Sequence, residues 1–459
     1  MRNPGHRSRR HLAVALALAC VAAPRGGAAG ETEAQRLHRR GVQCMDVIER
    51  SDCAIEHFEA LLQTRTEQRE LVNDAMLRLV RLHRAAPQDE ALAPVLRHFW
   101  DAGRSRGARG QLPWSMRFVP PDFDVVYAVE IQRVGDAGLW QRLGPQLREA
   151  LFVCDPARRR DLEDERRFAR AERKAAATGR DYKVILYEDL DRERAREAQR
   201  EAARSRGRPR QPTPIAFESV CEVAMVLGFD DVAQWRRLAG AMPHGDFARS
   251  IALAEIDGLE ARLRSAVEQA KLLEIGPDHW GVPGLQYEGQ DVELARLDDG
   301  ELLIAPAALI DTMIAARTST KRTMSRTLSG LVDRVPQGTA FFAVLGEQAV
   351  FDLGLGALRP GARSVLAALL PRPKGMQIAG LLGDDVGLFT RVPTDNPVKA
   401  RMLVALARQL IDGASDEGDD DDPGARLLAG LDVAQTKDRR ALLASYVLSG
   451  AQLESLVWD

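Results

Sequence analysis

The stretch FDVVYAVEI at residues 123–131 decides the class of the fold. Phe123, Val125, Tyr127, Val129 and Ile131 alternate with Asp124, Val126, Ala128 and Glu130, the period of two that a β-strand needs to present one apolar face. Two later segments open in the same way, with a proline followed by a strand. Val119-Pro120 precedes 123–131, Met242-Pro243 precedes a strand at 248–256, and Val335-Pro336 precedes one at 339–345. The expected apolar faces are Phe247, Ile251 and Leu253 in one, and Phe341, Ala343 and Leu345 in the other.

After Pro243 the pattern predicts a helix from Leu259 to Leu273, a hairpin turning at Asp298-Asp299-Gly300 and a helix opened by Pro306. After Pro336 it predicts a helix from Arg363 to Leu370, a hairpin turning at Gly383-Asp384-Asp385 and a helix opened by Pro397. Proline suits the first turn of a helix, where no amide donor is required. The order strand, helix, hairpin, helix resembles a ferredoxin-like α+β plan. The fold class is therefore α+β, with tandem antiparallel-sheet modules at 115–241, 242–317 and 330–412 and a duplication relating the last two.

Residues 31–103 have helical periodicity throughout. Leu37, Val42, Met45 and Ile48 recur at helical spacing, then Ile55, Phe58, Leu61 and Leu62, with a turn at Ser51-Asp52 between them. A second pair follows, broken at Ala86-Pro87. Ala54, Phe58 and Leu61 occupy the small and large packing positions of a repeat helix, and on these residues the region 33–103 resembles tetratricopeptide-type hairpins. The resemblance implies a surface for binding other proteins.

Residues 155–210 carry 18 basic and 13 acidic side chains around the run Val184-Ile185-Leu186-Tyr187. They read as an insertion of charged helices around one strand. Residues 413–424 form an acidic linker, and 425–459 a terminal hairpin turning near Lys437-Asp438 with a closing helix from Gln452 to Trp458.

Residues 1–30 read as an export signal: Arg7, Arg9, Arg10 and His11, an apolar stretch from Leu12 to Ala23, and small residues at Gly27-Ala28-Ala29. Ser8-Arg9-Arg10-His11-Leu12-Ala13 resembles the twin-arginine motif, and the general secretory route stays open beside it. Cys20 leaves a lipoprotein as a lesser alternative. No other segment is long and apolar enough to span a bilayer, so the expected location is the periplasm or the exterior. Removal of the signal leaves Cys44, Cys53, Cys154 and Cys221, an even number that favours two disulfides in an oxidising compartment. A Cys154–Cys221 bond would clamp the ends of the charged insertion, and Cys44 would then pair with Cys53. Four buried thiols are the alternative.

Composition narrows the chemistry. The 459 residues carry 64 basic and 66 acidic side chains and a net charge of -2, so no global field draws nucleic acid. Aromatic residues are only 5%, too few for a base-stacking platform. His38, His57, His83 and His98 sit in the helical region and form no histidine pair at ligand spacing. His244-Gly245-Asp246 and Asp278-His279-Trp280 could hold an acid–base pair, but turn chemistry accounts for them. Gly354-Leu355-Gly356 lacks the rest of a phosphate loop and reads as a turn. No nucleophile elbow occurs. Asp416 to Asp422 lacks the alternate spacing of a calcium loop, and Arg204 to Arg210 reads as a solvated tail.

No cofactor, metal or catalytic residue is assigned. The reading is an exported, non-catalytic bacterial envelope protein that binds other envelope proteins. The alternatives are a carrier or sensor of an apolar ligand, and a hydrolase with an unrecognised site.

Overall fold

The computed structural model describes residues 31–102, 112, 116, 119–139, 152–205, 217–298, 300–318, 323–356, 372–417 and 431–452, apart from 65, 67 and 86–88. The export signal expected at 1–30 with Cys20, the linker expected at 104–110, most of the helix expected after Leu139, the helix expected at 363–370 and most of the expected closing helix lie outside these residues. The described residues form two compact units, up to Leu71 and from Val72 onward.

The first unit holds a helical hairpin, α1 (Glu33–Asp46) and α2 (Ser51–Gln63). Thr32 and Gln35 form a reciprocal capping box that starts α1. Ala54, Phe58 and Leu61, the residues behind the tetratricopeptide resemblance, are fully buried. Gly41 permits this packing, because a Cβ there would lie 2.5 Å from the Phe58 ring. Cys44 and Cys53 are joined by a disulfide across the hairpin, as expected.

The second unit is built on one antiparallel sheet of twelve strands. Its elements begin with α3 (Arg69–Ala85, entering the unit at Val72), α4 (Asp89–Ala102), β1 (Val125–Glu130) and α5 (Ile131–Asp136). Next come α6 (Pro156–Thr178), α7 (Tyr182–Ser205), α8 (Phe217–Val226), β2 (Arg237–Met242) and β3 (Ile251–Glu255). They are followed by α9 (Leu259–Glu268), β4 (Leu273–Gly276), β5 (His279–Tyr287), β6 (Gln290–Asp298), β7 (Glu301–Pro306), α10 (Ala307–Thr318) and α11 (Arg326–Val332). The chain then forms β8 (Phe341–Leu345), α12 (Glu347–Gly356), β9 (Met376–Leu382), β10 (Val386–Pro393), α13 (Pro397–Glu417), β11 (Asp432–Gln435) and β12 (Ala441–Leu448). The strand order is β11-β12-β10-β9-β8-β1-β2-β3-β7-β6-β5-β4.

The α+β class stands, with N-terminal helices ahead of a large antiparallel sheet. Its internal plan differs from the expectation of separate ferredoxin-like modules. In the earlier segment β7 lies between β3 and β6, which is the expected order in part. The place beyond β3 belongs to β2, whose sequence Arg-Leu-Ala-Gly-Ala-Met has little intrinsic strand preference. In the later segment β9 pairs directly with β8, and no strand inserts between β8 and β10 other than β9. Different strand orders rule out the duplication. The matching proline spacings reflect only a common way to start helices.

Both faces of the sheet are buried at its middle. Ile251, Ala252, Leu253 and Ala254 are all buried, as is every residue of β7. The alternation read at 123–131 is therefore not an inside–outside pattern: Val126 and Ala128 are buried, and Val125, Tyr127 and Val129 are half-buried. Near the other edge, α3 and α4 pack on the sheet. Phe99 stacks on Phe389 with ring centres 4.4 Å apart, and Leu77 fills the space above Gly387.

Three hairpins turn where expected, at Asp298 to Gly300, at Gly383 to Asp385 and near Lys437-Asp438. The strand expected at Val184–Tyr187 is instead part of α7. A four-residue apolar run carries no period of its own, and the Glu, Arg and Ala around it favour helix. Gly354-Leu355-Gly356 ends α12 instead of forming a turn, and α13 runs through residues 413–417 of the acidic linker. The helix expected from Leu259 to Leu273 ends at Glu268, and β4 and β5 follow it.

Candidate functional site

The charged insertion is a two-helix hairpin. Asp155 caps α6 by accepting a hydrogen bond from the Ala157 amide at 2.9 Å, and Pro156 occupies its first turn. Gly179 ends α6 in the left-handed conformation (φ 68°) and donates its amide to the Ala175 carbonyl. Asp181 then accepts from the Lys183 amide at 2.8 Å and starts α7. The seam buries Leu162, Ala171 and Ile185. The ion pair Lys174–Asp189 (3.4 Å) crosses it, and Arg180 in the connecting turn pairs with Glu188 on α7 (2.5 Å). Helices of 23 and 24 residues are each about 35 Å long.

The base of this hairpin is fixed. Cys154 and Cys221 are disulfide-bonded, and both lie in the apolar cluster around Trp235 and Phe229. The Cys154 amide donates to the Asp230 carbonyl, and Arg159 donates to the carbonyls of Val153 and Cys154. Beyond the base, large apolar side chains face solvent: Phe168 is 49% exposed, Tyr182 39%, Val184 48% and Tyr187 66%. Val184 and Tyr187 are three apart and share a helix face. Sequence reasoning missed this patch, because it placed both residues in a strand.

The histidines disperse. His244-Gly245-Asp246 is a turn, with Gly245 at φ 81°, and its His244 amide donates to Asp124 Oδ1 at 2.6 Å. Burial pushes the Asp124 carboxyl above the usual range, against the pull of that amide. His279 Nε2 meets Glu293 Oε2 at 2.6 Å between β5 and β6, on another part of the sheet. His38 faces the Phe58 ring, and His83 is buried in α3. His57 lies one helical turn from Cys53, so that Cys44, Cys53 and His57 place their donor atoms within 4.8 Å of one another. Cysteine–histidine spacing is the signal that a search for histidine pairs passes over. The two sulfurs are consumed by the disulfide, which leaves no thiolate for a metal.

A row of charges crosses four adjacent strands: Glu130, Arg237, Glu255 and Glu301 are in register on β1, β2, β3 and β7. Arg237 donates to Glu130 at 2.6 Å and to Glu255 at 2.8 Å. Burial raises the Glu255 carboxyl above its ordinary range; Arg237 opposes this, while Glu301 and Glu130 add to it. A cavity of about 510 Å³ opens beside this row. A second, of about 280 Å³, lies among α4, β10 and the β11–β12 turn. Charged side chains line both cavities, and neither lining includes a histidine.

No helix among the described residues is long and apolar enough to cross a membrane. Comparison with protein-family models, curated proteins and solved structures finds no match.

Proposed function

We propose that this chain is an exported, non-catalytic interaction protein that engages another envelope protein through the outer half of the α6–α7 hairpin. The observation behind this reading is a pair of long helices on a disulfide-clamped base that turns Val184, Tyr187 and Phe168 to water. Exposed aromatic side chains of this kind are the usual anchors of protein interfaces, where they lose little conformational freedom on burial. The helices cannot gain stability by leaving them exposed, so burial against a partner supplies the natural use. The resemblance of 33–103 to tetratricopeptide hairpins, if it holds for function, would imply the same class of activity, and the two disulfides fit an oxidising compartment outside the cytoplasm.

The alternatives have weaker support. A carrier of an apolar ligand needs an apolar cavity, and the two cavities described have charged linings. A hydrolase needs its acid, base and nucleophile gathered around one cavity, whereas His244 and His279 face separate carboxylates on separate elements.

The test uses the full chain in its own envelope. Wild-type protein, solubilised gently, should migrate as part of a larger assembly on a native gel. The Val184→Lys, Tyr187→Lys double variant should migrate as free chain while keeping its helix content. Identical migration of the two would refute the reading.

A further inference from the structure

The smaller cavity has a composition that the interaction reading does not use. Arg97 and Trp100 come from α4, Arg334 from the turn after α11, Arg391 from β10 and Lys437 from the β11–β12 turn. With Asp101 and Asp438 also in the lining, four cations face two carboxylates. Such an excess in a concave site attracts anions.

The cavity is built rather than incidental. Arg391 is 8% exposed and follows the buried Phe389 along the face of β10 that α4 covers. Its Nη1 donates to Gln377 Oε1 at 2.7 Å, and Gln377 Nε2 in turn donates to the Leu331 carbonyl at 2.6 Å. This chain fixes one edge of the guanidinium and sets its plane. Arg97 is likewise held, its Nε donating to the Gln435 carbonyl at 2.9 Å. Fixed guanidinium groups suit the paired oxygens of a carboxylate or phosphate.

We propose that this cavity binds a small oxyanion, a carboxylate or phosphate compound, whose oxygens pair with Arg391, Arg334 and Lys437. The site lies on a different part of the fold from the α6–α7 hairpin and is independent of the partner reading. At about 280 Å³ it suits a small molecule, not a polymer.

Calorimetric titration of the full chain at low ionic strength, with inorganic phosphate in one arm and succinate in the other, tests this. Saturable binding in either arm supports the site, and the arm that binds identifies the kind of anion. Arg334→Gln lies at an exposed position and removes one of the cavity's cations, so it should weaken binding about tenfold with unchanged circular dichroism. Lys437→Gln lies at an exposed turn and should weaken binding severalfold while flattening its salt dependence. No saturable heat with either anion at millimolar concentration would overturn the proposal. So would binding that neither substitution weakens.

Discussion

Cys154 and Cys221, 67 positions apart in sequence, are joined by a disulfide at the base of the α6–α7 hairpin. The bond closes the loop that contains both helices, and it sits inside the apolar cluster that also holds Trp235. The insertion therefore emerges from a fixed point on the sheet. In the chain-entropy picture, replacing both cysteines by serine should cost about 4 kcal/mol, and replacing Cys44 and Cys53 about 3 kcal/mol, because the shorter loop restrains the unfolded chain less. Denaturant midpoints of the two double variants would measure this. The reverse order would contradict the role assigned to the long closure.

Gly41 is the residue that lets Phe58 reach the floor of the α1–α2 hairpin. Gly41→Ala places a methyl group against the ring and should destabilise this unit by about 1–3 kcal/mol, although alanine is the better helix former. Thermal unfolding would show a lowered midpoint. Gly330→Ala, in α11, serves as a comparison that introduces no contact, since nothing lies within 4 Å of its Cβ position and its backbone is not left-handed.

Arg237 holds two carboxylates that would otherwise repel across the sheet. Its side chain is 15% exposed, with Glu130 and Glu255 at 23% and 24%. Arg237→Leu should cost about 3 kcal/mol, since it leaves desolvated charges without their counter-ion. Adding Glu255→Gln to Arg237→Leu should recover part of that loss. A double-mutant cycle read by denaturant unfolding checks the coupling.

Alkaline pH should destabilise the protein through Tyr127. Burial, with a smaller contribution from Tyr287, pushes its phenol from the ordinary 10.0 up to about 12. A raised acid contributes stability in full below its unfolded value and loses it as pH rises through the folded value. The loss should therefore fall between pH 10 and about 12 and reach roughly 2 kcal/mol. Tyr127→Phe should remove that part of the pH dependence, which unfolding measured across this range would reveal.

The fold was legible wherever one feature carried its own physics. Turn residues at Asp298 to Gly300 and Gly383 to Asp385 marked hairpins, because few sequences other than Asp and Gly clusters reverse a chain so tightly. Even cysteine count and the position of the charged insertion led to both disulfides. Strand order was not legible. β2 is made of small residues with weak strand preference, and β4 and β5 are interrupted by Gly and Pro, so the strands that decide neighbours had the faintest signals. The hairpin patch was hidden for a related reason: Val184 to Tyr187 has a strand-like composition, and only the length of the surrounding helix overrides it. Arg391, Trp100 and Lys437 are far apart in sequence, and only the path of the sheet brings them to one cavity.

Site-specific photocrosslinking at Tyr187, in the full chain expressed in its own envelope, tests the central claim most directly. A benzophenone side chain at this position should yield one discrete adduct with another envelope protein, and the adduct should vanish when Val184→Lys is added. The same group at Glu260, an exposed position on α9, should yield none. No adduct from position 187, or the same adducts from both positions, would contradict the account.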